Sequence, residues 1–548
     1  MTRLVPLASA IWLLAVLSVS PRAAQTAAPH VPVAIPGDGA LFTTSDDCVA
    51  CHNNLVTAQG EDISIGTAWR STMMANSGRD PYFLAAVRRE TIDHPTAADE
   101  IQDECAACHM PMLQRTAHAA GRKANVLAQL PFGRDGGDEH ALAADGVSCT
   151  VCHQITSEKL GTRESFNGGF VLAPTPPNGA RPIFGPFKVD RARTTIMRSV
   201  TGFEQAESTH VRRSELCATC HTLFTEARGP DGRVIGTLPE QMNFQEWQHS
   251  AYREEKSCQS CHMPTVDTPA RMSSVLGDQR EGIGRHLFVG GNAFMLRMLD
   301  RYRGELGVVA TPQELDATAR ATERQLQQDT ARVSISRAAI GEGTLFVDVS
   351  IENLAGHKMP TGYPSRRAWL HLTVRDPQGR VVFESGAVES TGLIRGNDND
   401  ADATRFEPHY DEIRSAGDVQ IYESVMADPS GRVTTGLLQA TQFVKDNRLL
   451  PRGFDKTTAG PDIAVRGSAL QDDTFTGAGD RIRYLINVGS PVGAFDVEVE
   501  LRYQPIGFRW AQNLADYDAP EPRRFVSYFN SMSASSSVVL TRAAARAQ

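Results

Sequence analysis

The chain has 548 residues, of which 41% are hydrophobic, and this combination predicts two or more packed domains rather than one. Its 64 acidic and 55 basic residues give a formal net charge of −9 at pH 7. A nucleic-acid-binding protein needs a basic surface, so this acidic balance argues against a nucleic-acid partner.

The N-terminus has the pattern of a secretory signal peptide. Arg3 is followed by an apolar run, residues 4–19, which is too short for a comfortable membrane span and is interrupted by Pro6. Small residues come next, and we predict a signal peptide at residues 1–24, with an end as late as residue 28. No other stretch is long and apolar enough to cross a bilayer. The sequence therefore predicts an exported protein, periplasmic or extracellular, without a membrane span.

Five strings of the form C-x-x-C-H follow. They comprise Cys48, Cys51 and His52; Cys105, Cys108 and His109; Cys149, Cys152 and His153; Cys217, Cys220 and His221; and Cys258, Cys261 and His262. All ten cysteines are used, and histidine, 15 of 548 residues, follows every pair. C-x-x-C-H attaches c-type haem: the thiols bond the two vinyl groups, and the histidine binds the iron as proximal ligand. The sequence therefore predicts five haems, with these five histidines as proximal ligands.

Two other uses of C-x-x-C pairs compete with this interpretation. Zinc sites built from four cysteines would use four of the pairs and leave one over, and they would not require the histidines. Redox-active or structural disulfides also use closely spaced cysteines, and they leave the histidines unexplained as well. We therefore favour haem over zinc and over disulfides.

Residues 31–309 are predicted to form an α-helical and irregular haem domain. The proximal histidines have no fixed spacing, so the strings are not a simple repeat array. Little of this part has the alternation of a sheet. A Pro/Gly-rich stretch, residues 173–187, is predicted to be irregular and to wrap over the haems.

Two helices are predicted at the end of this domain. Asn292 should cap the first, whose apolar residues share one face. The second begins at Thr311 as N-cap, with Pro312 at the first helical position and Glu314 completing a capping box. We assign it as a connecting helix within residues 310–332.

From residue 333 to residue 545 the apolar residues alternate with a period of two. In TLFVDVSIE and in FDVEVELRY every second side chain is apolar, as expected for strands with one face in a core. Turn signals, DPQG at 376–379 and DPSG at 428–431, separate such runs. We predict an all-β antiparallel sandwich of the immunoglobulin-like kind, which has no cysteine and hence no attached haem.

The ligand on the far side of each iron decides what a haem can do. Two protein ligands make it an electron carrier, whereas an open position lets it bind a substrate. Ten histidines remain after the five proximal ones, and methionine can also bind iron. The candidate distal ligands are His210, His286, His357, His118 and Met73, with His140, Met74 and Met197 less favoured.

An acidic loop has part of the pattern of a calcium site. Asp398, Asp400 and Asp402 stand at alternate positions, as at the start of a calcium-binding loop. However, the sixth position is Ala403 rather than glycine and the twelfth is His409 rather than glutamate. We therefore favour a solvated loop over a calcium site.

These motifs resemble those of bacterial multihaem c-type cytochromes related to the tetrahaem cytochrome of ammonia oxidisers, here in a pentahaem form. The resemblance rests on the five strings and on EWQHSAYREEKSCQSCHMP, RHLFVGGN and GHKMPTGYPSRRAWL, and it covers roughly residues 45–375. The resemblance implies that His286 and His357 are distal ligands, since histidines at these positions have that role in such proteins. A tryptophan-serine segment often supplies another, but here Tyr252 stands where histidine is common. One or two haems could therefore have an open position.

Two functions follow from this resemblance. The first is electron transfer between periplasmic or extracellular redox proteins; the second is reduction or oxidation of a small nitrogen or sulfur compound at a five-coordinate haem. No C-x-x-C-K string and no acid–base constellation stands out. We therefore favour an electron carrier over an enzyme, with the sandwich as a docking or assembly domain that His357 pins to the haem domain. The oligomeric state does not follow from the sequence.

Overall fold

The computed structural model describes residue 1 and residues 40–134, 136–176, 179–489 and 493–548. The predicted signal peptide, residues 1–24, lies outside the described residues. Within the described ranges, every helix is too short or too polar to span a bilayer.

The first part of the chain, up to about residue 330, is built mainly from short helices. Asp80 caps the longest early helix by accepting hydrogen bonds from the backbone N of Tyr82 and Phe83 at 2.8 and 3.3 Å. Pro81 and Pro111 begin helices, where a missing backbone N–H costs nothing. The helices are α1 (Asp46–Val49), α2 (Ile65–Arg70), α3 (Pro81–Asp93), α4 (Ala98–His109), α5 (Pro111–Ala119), α6 (Gly137–Ala144), α7 (Cys149–Cys152), α8 (Arg191–Thr201), α9 (Ser214–His221), α10 (Asn243–Gln248), α11 (Cys258–His262), α12 (Ala293–Arg301), α13 (Arg303–Leu306) and α14 (Pro312–Asp329).

Three two-stranded sheets lie between these helices. Their strands are β1 (Arg181–Gly185), β2 (Phe203–Glu207), β3 (Thr222–Arg228), β4 (Val234–Met242), β5 (Ala270–Arg271) and β6 (Gln279–Arg280). β1 pairs with β2 in parallel, so the prediction that residues 173–187 are irregular is wrong at this strand. Pro182 is tolerated there because a two-stranded sheet leaves one edge without hydrogen-bond partners.

The two predicted helix starts at the end of this part are confirmed. Asn292 Oδ1 accepts a hydrogen bond from the backbone N of Met295 at 3.1 Å and caps α12. The Thr311 hydroxyl accepts from the backbone N of Glu314, and the Glu314 carboxylate accepts from the backbone N of Thr311. α14 therefore begins with the expected capping box and lies within residues 310–332.

After residue 330 two sheets share one hydrophobic core. Their strands and the small pair β13–β14 are β7 (Ala331–Gly341), β8 (Thr344–Asn353), β9 (Arg367–Arg375), β10 (Val381–Ser385), β11 (Glu412–Ile413), β12 (Ile421–Tyr422), β13 (Ser424–Ala427), β14 (Gln442–Asp446), β15 (Asp480–Asn487), β16 (Phe495–Gln504) and β17 (Val538–Ala547). One sheet has the order β10-β9-β16-β17, with β12 also on β9, and the other has β11-β15-β8-β7. The predicted alternation is confirmed, since Leu345, Val347, Val349 and Ile351 are all buried.

This second part is not all-β, and the prediction is wrong at its helices. α15 (Asp398–Ala401), α16 (Phe508–Gln512) and α17 (Pro520–Met532) interrupt the strands. Phe525 of α17 packs on Tyr82 of α3, with ring centres 5.0 Å apart. Nearby, Arg88 Nε donates to Glu521 Oε2 at 2.8 Å. α17 is helical because its apolar face is buried against helices of the first part, not against a sheet.

The acidic loop is not fully solvated, so that prediction is wrong at Asp400. Arg367 binds both oxygens of Asp400 at 2.7 and 2.9 Å, and the Asp400 side chain is 0% exposed. Asp398 pairs instead with Arg405, while Asp402 accepts from the backbone N of Thr404 at 2.9 Å. The three carboxylates have separate partners, so they do not converge on one cation.

Asp400→Asn should destabilise the protein by about 3–5 kcal/mol, because it leaves the buried Arg367 guanidinium without its counter-charge. Asp398→Asn, which breaks a partly exposed pair on the same loop, should cost less than about 1 kcal/mol. Denaturant unfolding of both variants measures the difference. Equal losses would contradict the assignment of Asp400 as the buried anchor of this loop.

Candidate functional site

One connected cavity of about 1870 Å³ runs through the first part of the molecule and borders the second. Cavities that hold one small ligand have volumes of about 300–1,000 Å³, so this space is larger than a single small ligand requires. The cysteines and histidines of all five strings line it. Apolar side chains line it too: Ile196 and Val200 of α8 are 36% and 44% exposed, and both face this space.

Each string forms about one helical turn, which directs its reactive groups to the same side. Residues i, i+3 and i+4 of a helix share a face, so the two thiols and the imidazole of C-x-x-C-H point together. The backbone N of His52 donates to Cys48 O at 3.1 Å, and that of His153 donates to Cys149 O at 3.1 Å. α4, α9 and α11 end at the histidine of their strings.

The geometry does not favour a zinc site at the strings. All ten thiols are free. Tetrahedral zinc needs several thiolate or imidazole ligands about one point. Within the described residues, no three cysteine or histidine ligand atoms of the strings lie within 4.8 Å of one another.

One group of potential metal ligands does lie together, in the second part of the chain, but its histidine has no lone pair to offer. His409 Nε2 lies 3.1 Å from Asp472 and 3.8 Å from Asp480. The side-chain amides of Gln420 and Asn447 donate to His409 Nδ1 at 2.8 and 3.1 Å. The ring proton is therefore on Nε2, which donates to Asp472. This group is a buried polar network of the β-sheet core.

Thiols from different strings approach one another. Three pairs of thiols lie close together: Cys48 with Cys149, Cys108 with Cys220, and Cys217 with Cys258. In addition, Cys152 lies near Cys220. The first string therefore neighbours the third, and the fourth string neighbours the second, third and fifth.

Backbone carbonyl groups orient the imidazoles of four strings. The Nδ1 donors and their acceptors are His52 with Met272 O at 2.6 Å, His109 with Ser77 O at 3.2 Å, His153 with Phe184 O at 2.6 Å, and His262 with Val289 O at 2.5 Å. A carbonyl oxygen only accepts, so the proton is on Nδ1 and the Nε2 lone pair is free for a metal. Burial lowers the pKa of His109 to about 4, and its ring is neutral at pH 7, as a metal ligand must be.

Two of the candidate distal histidines face a proximal histidine across the cavity. The ring centres of His153 and His286 are 6.4 Å apart and those of His262 and His357 are 6.3 Å apart. An imidazole nitrogen binds a transition metal at about 2 Å, so two rings on opposite sides of one iron have centres roughly 6 Å apart. Nδ1 of His286 and of His357 also donates to a backbone carbonyl at 3.0 Å. Both pairs therefore fit one metal ion between them.

The other three candidate ligands are placed differently. His210 is buried, with Ser208 Oγ 2.6 Å from Nδ1 and Ile155 O 2.7 Å from Nε2, so a bond to iron would require Nε2 to release this carbonyl. His118 is 43% exposed and binds Asp103 at 2.8 Å. Met73 borders the cavity. Their roles as distal ligands stay predictions.

Tyr252, which stands where a distal histidine is common in the resembling family, has a structural role. Its hydroxyl donates to Leu354 O at 2.8 Å, and Ser250 Oγ donates to Gly356 O at 3.1 Å. Both contacts hold the loop that carries His357. The segment WQHSAY therefore holds the neighbouring loop, which carries the candidate ligand His357.

A cluster of buried acidic side chains beside the second string was not predicted. Glu240 and Glu90 are each 4% exposed and border the cavity with Tyr82 and Tyr363. Burial raises the pKa of Glu240 to about 7. Glu90 accepts from the backbone N of Leu437 at 2.9 Å. Glu90 lies on α3 and Glu240 on β4, which are distant in sequence. Because they meet only in the folded chain, no local sequence pattern marks them.

No protein-family model matches this sequence, and no curated protein sequence matches it either. Among solved structures, the chain is similar to a penta-heme cytochrome c552 from Thermochromatium tepidum. The two are 15% identical and superpose with a TM-score of 0.50, over 92% of this chain and 99% of that one. The chain therefore has the fold of a multihaem cytochrome. The predicted relation to the cytochrome of ammonia oxidisers stays a prediction.

Glu240→Gln should stabilise the protein at pH 8 but not at pH 4.5. The pKa of Glu240 is about 7 in the folded chain, whereas the ordinary value for a glutamate side chain is 4.5. Between these values only the folded state holds the proton, so stability falls as the pH rises through this window. Above it, the folded protein bears a buried charge that glutamine removes, a gain of up to about 3 kcal/mol.

Denaturant unfolding at the two pH values measures this effect. Glu226→Gln, which changes a half-exposed side chain on the facing strand β3, is the matched control and should change stability little at either pH. A Glu240→Gln protein that is less stable than its parent at pH 8 would show that the carboxylate stabilises the fold.

Proposed function

We propose that the protein is an exported multihaem c-type cytochrome that carries five haems and passes electrons between redox partner proteins. The observation that carries this proposal is the convergence of all five C-x-x-C-H strings on one cavity, where two further histidines face them. Haem bound there would supply an iron that is oxidised and reduced by one electron. The shared fold with a penta-heme cytochrome supports the same interpretation.

The chain's own residues would hold and orient these groups. The ten cysteines would form the thioether bonds, and His52, His109, His153, His221 and His262 would be the proximal ligands. We assign His286 as the second ligand of the third site and His357 as that of the fifth. His210, His118 and Met73 are proposed for the remaining sites.

The thiol contacts support a branched path for electrons. The rate of electron tunnelling falls steeply with distance, so closely packed carriers exchange electrons fastest. The first string contacts the third through Cys48 and Cys149, while Cys217 and Cys220 of the fourth string contact the fifth and second. We infer a path from the first site through the third to the fourth, with branches to the second and fifth.

The second part of the chain is proposed to be an immunoglobulin-like docking or assembly domain. The order β7-β8-β15-β11 in one sheet and β10-β9-β16-β17 in the other supports this proposal, because it follows the A-B-E-D and C′-C-F-G orders of that fold. One pair departs from the predicted antiparallel sandwich, since β11 runs parallel to β15. His357 lies in the loop between β8 and β9, so this domain supplies a ligand to the cavity. The domain would thus contribute a ligand to one haem site and would also provide a docking surface.

One observation favours the alternative function, reduction or oxidation of a small nitrogen or sulfur compound. Glu90, Glu240, Tyr82 and Tyr363 lie together at the cavity wall beside Cys105 of the second string. Buried carboxyl and phenol groups can supply protons to a bound substrate. An open second site would give this cluster a catalytic role.

Low-temperature electron paramagnetic resonance (EPR) of the matured protein, quantified per iron, distinguishes the two functions. Electron transfer predicts low-spin haems that do not respond to nitrite, hydroxylamine or sulfite. The imidazole planes of the His153–His286 and His262–His357 pairs differ by 20° and 13°, so these sites should give the rhombic signals of near-parallel ligands. His286→Ala should make about one fifth of the iron high-spin, because the third site loses a ligand.

The matched control is His371→Ala, which removes a histidine on β9 that lies beside Glu384 rather than at the cavity. It should leave every haem low-spin. A stoichiometric high-spin signal in the parent protein that changes with nitrite, hydroxylamine or sulfite would contradict electron transfer as the sole function.

A further inference from the structure

Glu246 is a charged side chain enclosed between the two parts of the molecule. It lies on α10, ahead of the fifth string, and is 0% exposed. Its Oε2 accepts hydrogen bonds from the backbone N of Lys358 at 3.1 Å and from Thr361 Oγ1 at 2.6 Å. Both donors follow His357 in the loop between β8 and β9. One carboxylate of the first part therefore holds the loop that the second part contributes.

Two buried cations and a second carboxylate complete this group. Arg448 Nη1 lies 2.9 Å from Glu246 Oε1, and Arg448 also binds Asp446 at 2.7 and 2.9 Å. Lys358 Nζ donates to Asp446 Oδ2 at 2.8 Å. Burial alone would raise the pKa of Asp446, but Arg448 and Lys358 lower it to about 2. The group thus balances two negative and two positive charges away from water.

The contacts on the two sides of His357 differ in kind. Before it, Ser250 and Tyr252 bind the backbone carbonyls of Gly356 and Leu354. After it, the donors to Glu246 are a backbone N–H and a threonine hydroxyl. Other contacts also hold the second side: Met359 and Leu449 exchange two backbone hydrogen bonds at 2.9 Å, and Lys358 Nζ binds Asp446. Without the Glu246 carboxylate, however, the backbone N next to His357 and the Thr361 hydroxyl lose their buried acceptor, which frees the His357 ring to turn away from His262.

We propose that Glu246 is a positioning residue for the fifth site: it holds the His357 loop so that this imidazole faces His262 and acts as the second iron ligand. This inference rests on the proposed function, since it requires a haem at the fifth string. Buried ion pairs often contribute little net stability, but they can specify one arrangement over others. Here the pairs of Glu246 and Asp446 with Arg448 and Lys358 would specify the orientation of the His357 imidazole.

Glu246→Gln in the matured protein tests the proposal by EPR. The amide removes the negative charge opposite Arg448 and weakens the bonds to the loop. About one fifth of the haem iron should change from low-spin to high-spin, and added imidazole should restore the low-spin state by taking the open position. Thr361→Val, which removes only the hydroxyl donor, should cause the same change in a smaller fraction of the iron and serves if Glu246→Gln does not fold.

Asp400→Asn is the matched control, because it breaks a buried ion pair at Arg367, where β9 begins, and the partners of Asp400 are Arg367 and the backbone N of Ile394 rather than Glu246 or Thr361. It should lower stability and leave every haem low-spin. If Glu246→Gln and Thr361→Val keep all five haems low-spin, Glu246 does not position His357. If peptide mass spectrometry of the parent protein finds no haem on Cys258 and Cys261, the proposed function fails at this site instead.

Discussion

Five helical turns directed into one space are the constraint on which the first part of this structure depends. The two thiols and the imidazole of each string share a helix face only if the turn is helical, and all five faces must border the same cavity. The apolar residues around the strings are accordingly divided into small separate clusters, whereas the two sheets enclose one large core.

The second part holds elements of the first part in place. Its sheets hold the loop that carries His357 at the cavity wall, and α17 packs on α3 and α12. Charged groups mark the junction: Arg88 with Glu521, and Glu246 with Arg448. A buried charge that is separated from its partner destabilises the protein strongly. These pairs therefore favour the one relative placement of the two parts in which both partners meet. His357, the proposed ligand on the second part, would need that precision to face His262.

Local sequence patterns predicted the structure well wherever the cause is local. The strings, the Thr311 capping box and the alternation in β8 depend on residues that are close in sequence, and all are present. The strand at Arg181–Gly185, helix α17 and the burial of Asp400 depend instead on distant partners. The same reason separates the candidate site residues: His286 and His357, the proposed ligands, lie in glycine-containing loops that a motif can identify, whereas Glu246 and Glu240 have no such signature.

The central claim is that the strings bind haem covalently, and the haem count of the intact protein tests it most directly. The chain should be produced in a bacterial host with an active cytochrome c maturation system, and its intact mass measured under denaturing conditions. The account predicts a mass increase of five haems per chain, with one haem on each string. A chain of unmodified mass whose cysteines bind zinc or pair as disulfides would contradict it.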